Sequence, residues 1–438
     1  MRILFVSTHL PVPATNGQAI RTLSLVRALA TAGHELAFVS FSNHQSAKEI
    51  DPLLSWCRTI DVVPRAAVNL SQGADYLGRL RCMARLQPYA LQRFSARAMQ
   101  QLIQTHLDKQ AFDAIVADSL YAMMNLPPTE TPIVLNCHNV EHLIIKRFAE
   151  LERNPMKAMY ARWESRLLGK AEQRACLRST IGLVCSEFDR DALARLCPTL
   201  GTFIVPNSVD TEYFSPVQPT KPNVNVPVVL FQGSMDWYPN RDAVEYFANE
   251  IFPLLRNDFP TLRFIVAGRN PSPAFIRKFA RMDGIEFTGT VPDMRCFLAA
   301  ATVAVVPLRL GSGTRIKILE ACAMGKAVVS TRVGAEGLEF VAGKEILIAD
   351  DTASFAEAVA KLLRDPQQRK LMGRLARSKV VERYSSKAVD QSLVTALGSL
   401  DLRHSGTSSA ATPGGRHRMG SCEAIAVHEN ALGEVAKR

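Results

Sequence analysis

The feature of this sequence that most constrains its fold is a repeated alternation of short apolar runs with longer amphipathic segments. In the first half, apolar runs with the length of buried strands occupy residues 3–7, 35–40, 114–117, 132–135, 181–184 and 202–205. Helical patterns lie near residues 17–32, 94–108, 140–151, 156–178 and 187–196. Strands that alternate with helices predict a doubly wound α/β domain built on a parallel sheet.

The second half repeats this alternation. Strands are predicted at 228–232, 263–267, 285–288, 302–306 and 327–330, with a short one at 346–348, and helices near 240–256, 273–282, 314–324, 352–364 and 366–382. A chain of 438 residues is too long for one ordinary core. We therefore expect two doubly wound domains that face each other, with a ligand cleft at the carboxyl ends of both sheets.

Composition shifts predict the boundaries between these parts. The first domain would span residues 1–205, followed by a hinge or linker at 206–227 that is rich in proline and asparagine, and a second domain at 228–383. A helix at 384–403 would then cross back onto the first domain. From residue 404 to 438 the chain is rich in Ser, Thr, Gly and Pro, which predicts a disordered tail.

Basic residues are unevenly distributed in the first half. The formal net charge is +11, and residues 146–178 alone hold nine Lys or Arg against four Asp or Glu. Such patches suit nucleic acid, anionic membranes or phosphorylated substrates. Because the sequence contains no nucleic-acid-binding motif, nucleic acid is not an expected partner. Arg79, Arg81 and Arg85 are candidates for peripheral membrane contact, and solvated helix faces are the alternative.

Other bulk properties limit the class of protein. No apolar run approaches the roughly 18–20 residues that span a bilayer, and the N-terminal segment MRILFVS enters a strand pattern directly, unlike a signal peptide. Nine cysteines are scattered without C-x-x-C pairs, as in reduced thiols of a cytosolic enzyme. No grouping of His, Asp or Glu resembles a metal site, so no metal cofactor is expected.

The stretch 307–338, PLRLGSGTRIKILEACAMGKAVVSTRVGAEGL, carries the strongest functional signal. A buried strand precedes two glycines, Gly311 and Gly313, and a helix then begins. Helix N-termini attract anions, and Arg315 and Lys317 add charge for phosphates. Glu320 lies one turn further along the same helix face and suits a vicinal diol such as a ribose. The alternative is a surface βαβ unit with a solvated charged helix.

Two further loops follow strands of the first half. The loop 8–17 ends at Gly17 just before a helix, and Arg21 in the first turn could reach into the cleft; an ordinary strand–helix connection is the alternative. His138 follows the strand at 132–135, which is a suitable place for a site. Asn139 and Glu141 could cap the helix that follows, and Asp118, at the end of another strand, is a weaker candidate for the acceptor side.

The stretch 307–338 resembles the nucleotide-binding segment of the family 4 retaining glycosyltransferases, which have the GT-B fold of two Rossmann-like domains. Their signature is a Glu, seven residues, and a second Glu that opens an EAMA.G.PVV run. Here Glu320 opens EACAMGKAVV, whereas Ser312 replaces the first Glu. The motif GSGTR-x-K-x-LEA is similar to that of a subgroup associated with bacterial exopolysaccharide synthesis. Residues 205–214 resemble the family's hinge segment, with Ser208 replacing the usual Gly.

The resemblance implies roles for individual residues. His138 would contact the donor sugar, and Arg315 and Lys317 would stabilise the leaving diphosphate. Residues implied in nucleotide-sugar binding are Gly17, Gly233, Arg241, Gly268, Val291, Gly311, Ser312, Gly313, Thr314 and Glu320. In the family, the first Glu would contact the donor sugar, so its replacement by Ser312 affects how the hydroxyls of that sugar are recognised.

The resemblance therefore implies a cytoplasmic, metal-independent enzyme that moves a sugar from a nucleoside diphosphate sugar to a glycan or lipid-linked acceptor. Retention of anomeric configuration and a place in exopolysaccharide or other cell-surface polysaccharide synthesis are part of this implication. Two alternatives remain at the level of sequence: a GT-B sugar-nucleotide 2-epimerase, and a nucleotide-sugar-binding scaffold without catalysis.

Overall fold

The computed structural model describes residues 1–14, 16–42, 51–64, 72–217 and 226–405. Residues 1–398 form one compact unit, and residues 399–405 complete the last helix. Residues 218–225 of the predicted hinge and nearly all of the predicted disordered tail (406–438) lie outside the described residues.

The first sheet has seven parallel strands in the order β3-β2-β1-β4-β5-β6-β7. The strands are β1 (Arg2–Ser7), β2 (Glu35–Ser42), β3 (Thr59–Pro64), β4 (Ala114–Asp118), β5 (Ile133–Asn136), β6 (Ile181–Val184) and β7 (Gly201–Ile204). Their side chains are mostly buried on both faces, as expected of a parallel sheet covered by helices. The strand order reverses between β1 and β4, which is where ligands of such sheets bind.

The helices of this half are α1 (Gly17–Thr31), α2 (Asp51–Leu54), α3 (Gln72–Ala84), α4 (Tyr89–Gln92), α5 (Arg97–Lys109), α6 (Leu120–Met123), α7 (Glu141–Leu151), α8 (Pro155–Arg178) and α9 (Glu187–Leu196). Asn16 caps α1 by accepting from the Ala19 N–H at 2.9 Å. Asn154 caps α8, where Pro155 occupies the first helical position and needs no hydrogen-bond acceptor.

The second sheet has six parallel strands in the order β10-β9-β8-β11-β12-β13. These are β8 (Val228–Gln232), β9 (Arg263–Ala267), β10 (Ile285–Gly289), β11 (Val303–Val306), β12 (Val328–Ser330) and β13 (Leu347–Ile348). The order reverses between β8 and β11, so this sheet is doubly wound as well. We call the parts built on the two sheets the first and second domains.

The helices of the second half are α10 (Tyr238–Tyr246), α11 (Phe252–Asp258), α12 (Pro273–Arg277), α13 (Met294–Ala300), α14 (Ile316–Ala323), α15 (Arg332–Ala335), α16 (Thr352–Arg364), α17 (Pro366–Arg383) and α18 (Ser386–Ser405). Phe247, Phe252, Phe264 and Phe355 cluster in the core beside this sheet, with the Phe247 and Phe264 ring centroids 4.4 Å apart. Aromatic pairs at this spacing add to the free energy of burial.

The structure differs from the sequence-based expectation in several elements. Strand β3 was not predicted because it is a half-exposed edge strand that contains Asp61 and ends in Pro64. The helix predicted at 240–256 is interrupted by a π-helical turn at Phe247–Ile251. Pro253 lacks the N–H that a continuous α-helix would use there. The predicted helix at 273–282 ends already at Arg277, and α3 and α13 were not expected.

Three further predictions concern the domain boundaries, the last helix and the thiols. The first sheet ends at Ile204 and the second begins at Val228, but the domain boundaries themselves stay a prediction. The helix predicted at 384–403 corresponds to α18, in which Asp390 Oδ2 lies 3.7 Å from Arg27 Nη2 of α1. Among the described residues, the cysteines are unpaired and all except Cys296 are buried, as expected.

Candidate active site

A buried carboxylate organises the strand ends of the first domain. Asp118, at the end of β4, is fully buried. One of its oxygens accepts from Ser7 Oγ at 2.7 Å and Thr22 Oγ1 at 2.6 Å. The other accepts from Asn136 Nδ2 and lies 2.7 Å from His138 Nε2. Asp118 therefore holds His138 in place and is too buried to contact an acceptor, contrary to its role as a weaker acceptor-side candidate.

The environment of Asp118 decides its ionisation and the tautomer of His138. Burial alone would raise the pKa of Asp118, but the charge of His138 and hydrogen bonds from His138, Thr22 and Ser7 reverse this effect. The net result is a pKa well below the usual range of a carboxyl group. Since an ionised carboxylate only accepts, His138 Nε2 donates to it. When the imidazole ring is neutral, Nδ1 is then an acceptor, and when the ring is charged both of its nitrogens donate.

Arg21 does not reach into a cleft, which corrects the expectation from sequence. Its side chain is buried, and Nε and Nη2 donate to Asn136 Oδ1 at 3.0 and 2.8 Å. Nη1 donates to the Val205 carbonyl at 2.7 Å and to Asn207 Oδ1 at 3.2 Å. The nitrogen of Asn207 in turn donates to Thr314 Oγ1 at 2.8 Å. Arg21 thus supports the segment that contacts the glycine loop of the second domain.

That glycine loop, residues 311–315, connects β11 to α14 and is packed against the segment after β5. The φ angles of Gly311 and Gly313 are +128° and +74°, which disfavour residues with side chains. A Cβ atom on Gly313 would lie 2.5 Å from the His138 carbonyl oxygen. Ser312 Oγ accepts from the Val140 N–H at 3.2 Å. The predicted site residues Gly311, Ser312, Gly313 and His138 are therefore brought together.

The loop turns its carbonyl groups toward arginines and leaves its N–H groups available. Arg315 Nη1 donates to the carbonyls of Ser312 and Gly313. Within the part of the chain that the structure describes, the backbone N–H groups of Ser312 and Gly313 have no acceptor, whereas that of Thr314 faces the buried Cys185 thiol. Available N–H groups just before a helix are suited to binding an anion.

Arg315 supplies a further unsatisfied donor. Its Nη2 atom is buried and has no hydrogen-bond partner among the described residues. Burial lowers the pKa of Arg315 to about 10, against a partial opposing effect of Glu336. Because a buried, unpaired donor is costly, an anionic ligand at this position would be strongly favoured.

Lys317 and Glu320 lie on the same face of α14, as their spacing predicted. Lys317 Nζ donates to Asn240 Oδ1 at 2.8 Å and lies 4.2 Å from the centroid of the Phe231 ring. Burial lowers the pKa of Lys317 to about 7, helped by the charge of Arg315 and opposed by Glu320. A Cβ atom on Gly233 would lie 2.8 Å from Lys317 Nζ, so Gly233 leaves the space that this ammonium group occupies.

Glu320 is paired with a residue that the sequence did not assign to the site. Gln232, at the end of β8, donates through Nε2 to Glu320 Oε2. Burial raises the pKa of Glu320 to about 7, while Gln232 and Lys317 act to lower it. The Oε1 atom of Gln232 is buried without a partner among the described residues. The signal in the sequence was a polar residue directly after the apolar run of β8.

The remaining predicted residues differ in how close they lie to the loop. Gly17 opens α1, and a Cβ atom on it would lie 3.6 Å from Ile316 Cδ1 at the start of α14. Arg241 instead uses Nη1 to hold the carbonyls of Met235 and Asp236, at 2.7 and 3.2 Å. Nη1 of Arg241 is thus occupied, and the expected contact of Arg241 with a diphosphate stays a prediction.

Gly268 and Val291 follow β9 and β10. Gly268 packs against the backbone of Gly233, since an added Cβ atom would lie only 2.0 Å from the Gly233 oxygen. Val291 lies two residues after Gly289 and is half-buried. Both residues are at the carboxyl edge of the sheet, where the resemblance places the base of the nucleotide.

The helix after His138 is capped differently from the expectation. The carboxylate of Glu172 in α8 accepts from the Glu141 N–H at 2.6 Å and from the His142 N–H at 3.4 Å, so it takes the capping role expected of Asn139 and Glu141. Glu141 Oε2 accepts from Tyr121 Oη at 3.0 Å. Burial and the charge of Glu172 raise the pKa of Glu141 to about 7.

No helix in the described ranges is long and apolar enough to cross a membrane. No group of three or more His, Cys, Asp or Glu side chains in these ranges could hold a metal ion.

The two doubly wound sheets define a two-domain α/β protein. Comparison with known families assigns it further. A model described as Glycosyltransferase Family 4 matches residues 15–213, and one described as Glycosyl transferases group 1 matches residues 226–365. The chain belongs to this family of glycosyltransferases, as its motifs indicated.

Individual proteins agree with this assignment. An uncharacterized 44.6 kDa protein in the cps region of Klebsiella pneumoniae is 21% identical over 405 residues, which cover 90% of this chain and 98% of that protein. Sucrose-phosphate synthase from Thermosynechococcus elongatus has a similar structure, with a TM-score of 0.66, 18% identity, and coverage of 92% and 100% of the two chains.

Anabaena HepE in complex with UDP-glucose is similar as well, with a TM-score of 0.61, 14% identity, and coverage of 91% and 100%. At such identities the structural likeness concerns the fold, which is the predicted GT-B fold.

Proposed function

We propose that this glycosyltransferase moves a sugar from a nucleoside diphosphate sugar to a glycan or lipid-linked acceptor, with retention of the anomeric configuration. The observation that carries the proposal is the set of unsatisfied donors at the glycine loop. The backbone N–H groups of Ser312 and Gly313 have no acceptor among the described residues. A diphosphate would accept from them.

The neighbouring groups suit the rest of a nucleotide sugar. Glu320 would accept from the ribose hydroxyls, and the unpartnered Oε1 of Gln232 offers another acceptor beside it. His138, fixed by Asp118, would accept a hydrogen bond from a sugar hydroxyl through Nδ1. Ser312 is too short to replace the carboxylate that resembling enzymes carry at its position, and its hydroxyl is already engaged with Val140.

In this mechanism the bond between the anomeric carbon and the diphosphate oxygen breaks as the acceptor oxygen approaches on the same face. The acceptor proton passes to the leaving diphosphate. Arg315, Lys317 and the loop N–H groups stabilise the charge that develops on the diphosphate, without the need for a metal ion. The first domain would position the acceptor and the second the donor, so that the attacking and leaving oxygens share one face of the reacting carbon.

We further propose a place in exopolysaccharide or other cell-surface polysaccharide synthesis. The Klebsiella relative in a cps region supports this place. An acceptor on a lipid carrier would require the enzyme to work at a membrane surface. One surface of the first domain has suitable chemistry, since exposed apolar side chains and arginines occur together there.

This amphipathic surface consists of Leu77, Leu80, Arg81, Met83, Arg85 and Leu86 on and after α3, and of Met156 and Met159 at the start of α8. Exposed apolar side chains beside basic ones suit the interface of an anionic membrane. Arg79 is not part of it, contrary to the expectation that grouped it with Arg81 and Arg85. Its guanidinium group lies 4.8 Å from the ring of Tyr89 and 5.7 Å from that of Tyr160.

The proposed activity is tested with purified full-length chain, a panel of UDP, GDP, ADP and TDP sugars, and membrane extract that contains lipid-linked glycans. We expect one donor to yield a glycosylated product whose anomeric proton coupling, measured by NMR, matches that of the donor. The activity should persist in EDTA. An inverted product would overturn the retaining mechanism, a free epimer of the donor would indicate the epimerase, and binding without turnover would indicate the scaffold.

A further inference from the structure

Arg147 forms a two-pronged ion pair between the domains. It projects from α7 of the first domain, and its Nη1 and Nη2 atoms lie 2.8 and 2.6 Å from Oε1 and Oε2 of Glu336. Glu336 follows α15 of the second domain. The side chains are only 20% and 14% exposed, so water weakens this pair less than it weakens pairs on the surface.

The same guanidinium group contacts the glycine loop directly. Arg147 Nη1 also donates to the carbonyl oxygen of Gly311. On the first-domain side, the ring of Phe188 in α9 lies 5.6 Å from the Arg147 guanidinium carbon. Arg147 is thus held by its own domain on one side and by Glu336 on the other while it binds the loop.

This contact fixes the direction of an N–H group in the loop. A peptide unit is planar and trans, so its C=O and N–H groups point in opposite directions. A donor that holds the Gly311 carbonyl therefore also sets the direction of the Ser312 N–H. Arg315 does the same for the next two peptide units by holding the carbonyls of Ser312 and Gly313. Arg315 belongs to the second domain, whereas Arg147 belongs to the first.

We propose that Arg147 is a positioning residue for the diphosphate of the donor: it makes the orientation of the Ser312 N–H depend on contact between the domains. The donor site is then complete only when the first domain is in place over the loop. This inference rests on the proposed function for the identity of the ligand, a nucleoside diphosphate. The effect of Arg147 on the loop does not depend on the proposed function.

Two measurements on the full-length chain test the effect of Arg147 on the loop separately from the identity of the ligand. The first is hydrogen–deuterium exchange of the loop amides in the free protein, which needs no ligand. Arg147→Ala should increase deuterium uptake by peptides that cover residues 308–316. Arg147→Lys should increase it as well, because a single ammonium group cannot replace the two-pronged hydrogen bonding of the guanidinium group. Arg27→Ala is the matched control, since it removes an arginine that pairs with Asp390 without touching the loop.

The second measurement is calorimetric titration with UDP, GDP, ADP and TDP. We expect the diphosphate that binds the wild type to bind Arg147→Ala at least 10-fold more weakly, Glu336→Gln to show an intermediate loss, and Arg27→Ala to bind like the wild type. Unchanged loop exchange in both Arg147 variants, or unchanged affinity in Arg147→Ala, would overturn the positioning role. Failure of all four diphosphates to bind the wild type would instead overturn the proposed function, and the exchange experiment would still decide the role of Arg147.

Discussion

His138 Nε2 lies 2.7 Å from Oδ1 of Asp118, a carboxylate with no exposed surface. The two residues follow neighbouring strands of the first sheet, β5 and β4, and meet where the strand order reverses. A charged partner that is itself held by Ser7 and Thr22 fixes the ring more firmly than a solvated one could. The pair thus fixes the orientation of the imidazole ring, and the backbone carbonyl oxygen of His138 lies next to Gly313 of the glycine loop.

Asp118→Asn should lower the turnover of the enzyme by about 10-fold or more, because an amide cannot hold His138 in the same tautomer. The pKa of Asp118 is lowered in the folded protein, so its stabilising effect is present above the unfolded pKa of about 4 and is lost as the pH falls below it. Urea unfolding from pH 7 to pH 3 should therefore show a smaller difference between variant and wild type at low pH. A constant difference would contradict this assignment.

Diphosphate binding near neutral pH should take up protons through Lys317. Its pKa is about 7 in the free site, so part of the population is neutral, and a bound dianion would favour the ammonium form. At pH 7.5, calorimetry in buffers of different ionisation enthalpy should detect this uptake, and it should disappear below about pH 6, where Lys317 is already protonated. Lys317→Met should abolish most of it, whereas Glu320→Gln should retain it. Because Glu320, with a pKa of about 7, would release protons when it accepts from the ribose, the decisive comparison is with the variant: equal proton uptake in wild type and Lys317→Met would exclude this coupling.

Gly268→Ala should destabilise the protein by about 3 kcal/mol, because its Cβ atom would collide with the Gly233 backbone at a φ of +153°. Gly289→Ala is the matched control: its φ is also positive, at +68°, but no atom lies within 4 Å of the added Cβ. We expect the control to lose only about 1 kcal/mol. Chemical denaturation measures both, and equal losses would show that the close approach of Gly233 is unimportant.

Arg81→Glu together with Arg85→Glu should weaken binding of the chain to vesicles that contain phosphatidylglycerol, with little effect on those of phosphatidylcholine alone. Each basic residue near an anionic surface contributes about 1 kcal/mol. The control is Lys361→Glu with Lys370→Glu, exposed positions on α16 and α17 of the second domain. Vesicle flotation should separate the two double variants, and identical behaviour would exclude the amphipathic surface as the membrane contact.

Much of the fold follows from the sequence because parallel strands buried on both faces read as short apolar runs, such as Val303–Val306. Lys317 and Glu320 could be placed on one helix face from their spacing alone. The burial of Arg21 could not be predicted, since its partners Asn136, Val205 and Asn207 come from distant parts of the chain. For the same reason, the contact of Asn240 with Lys317 and the ion pair of Arg147 required the structure.

In our proposal, the glycine loop and Glu320 bind a nucleoside diphosphate. The most direct measurement is a thermal-shift titration of the full-length chain with UDP, GDP, ADP and TDP, in parallel with Glu320→Ala. We predict that one diphosphate raises the melting temperature of the wild type and that this shift is reduced or lost in the variant. The absence of a shift with all four, or an equal shift in wild type and variant, would contradict the claim.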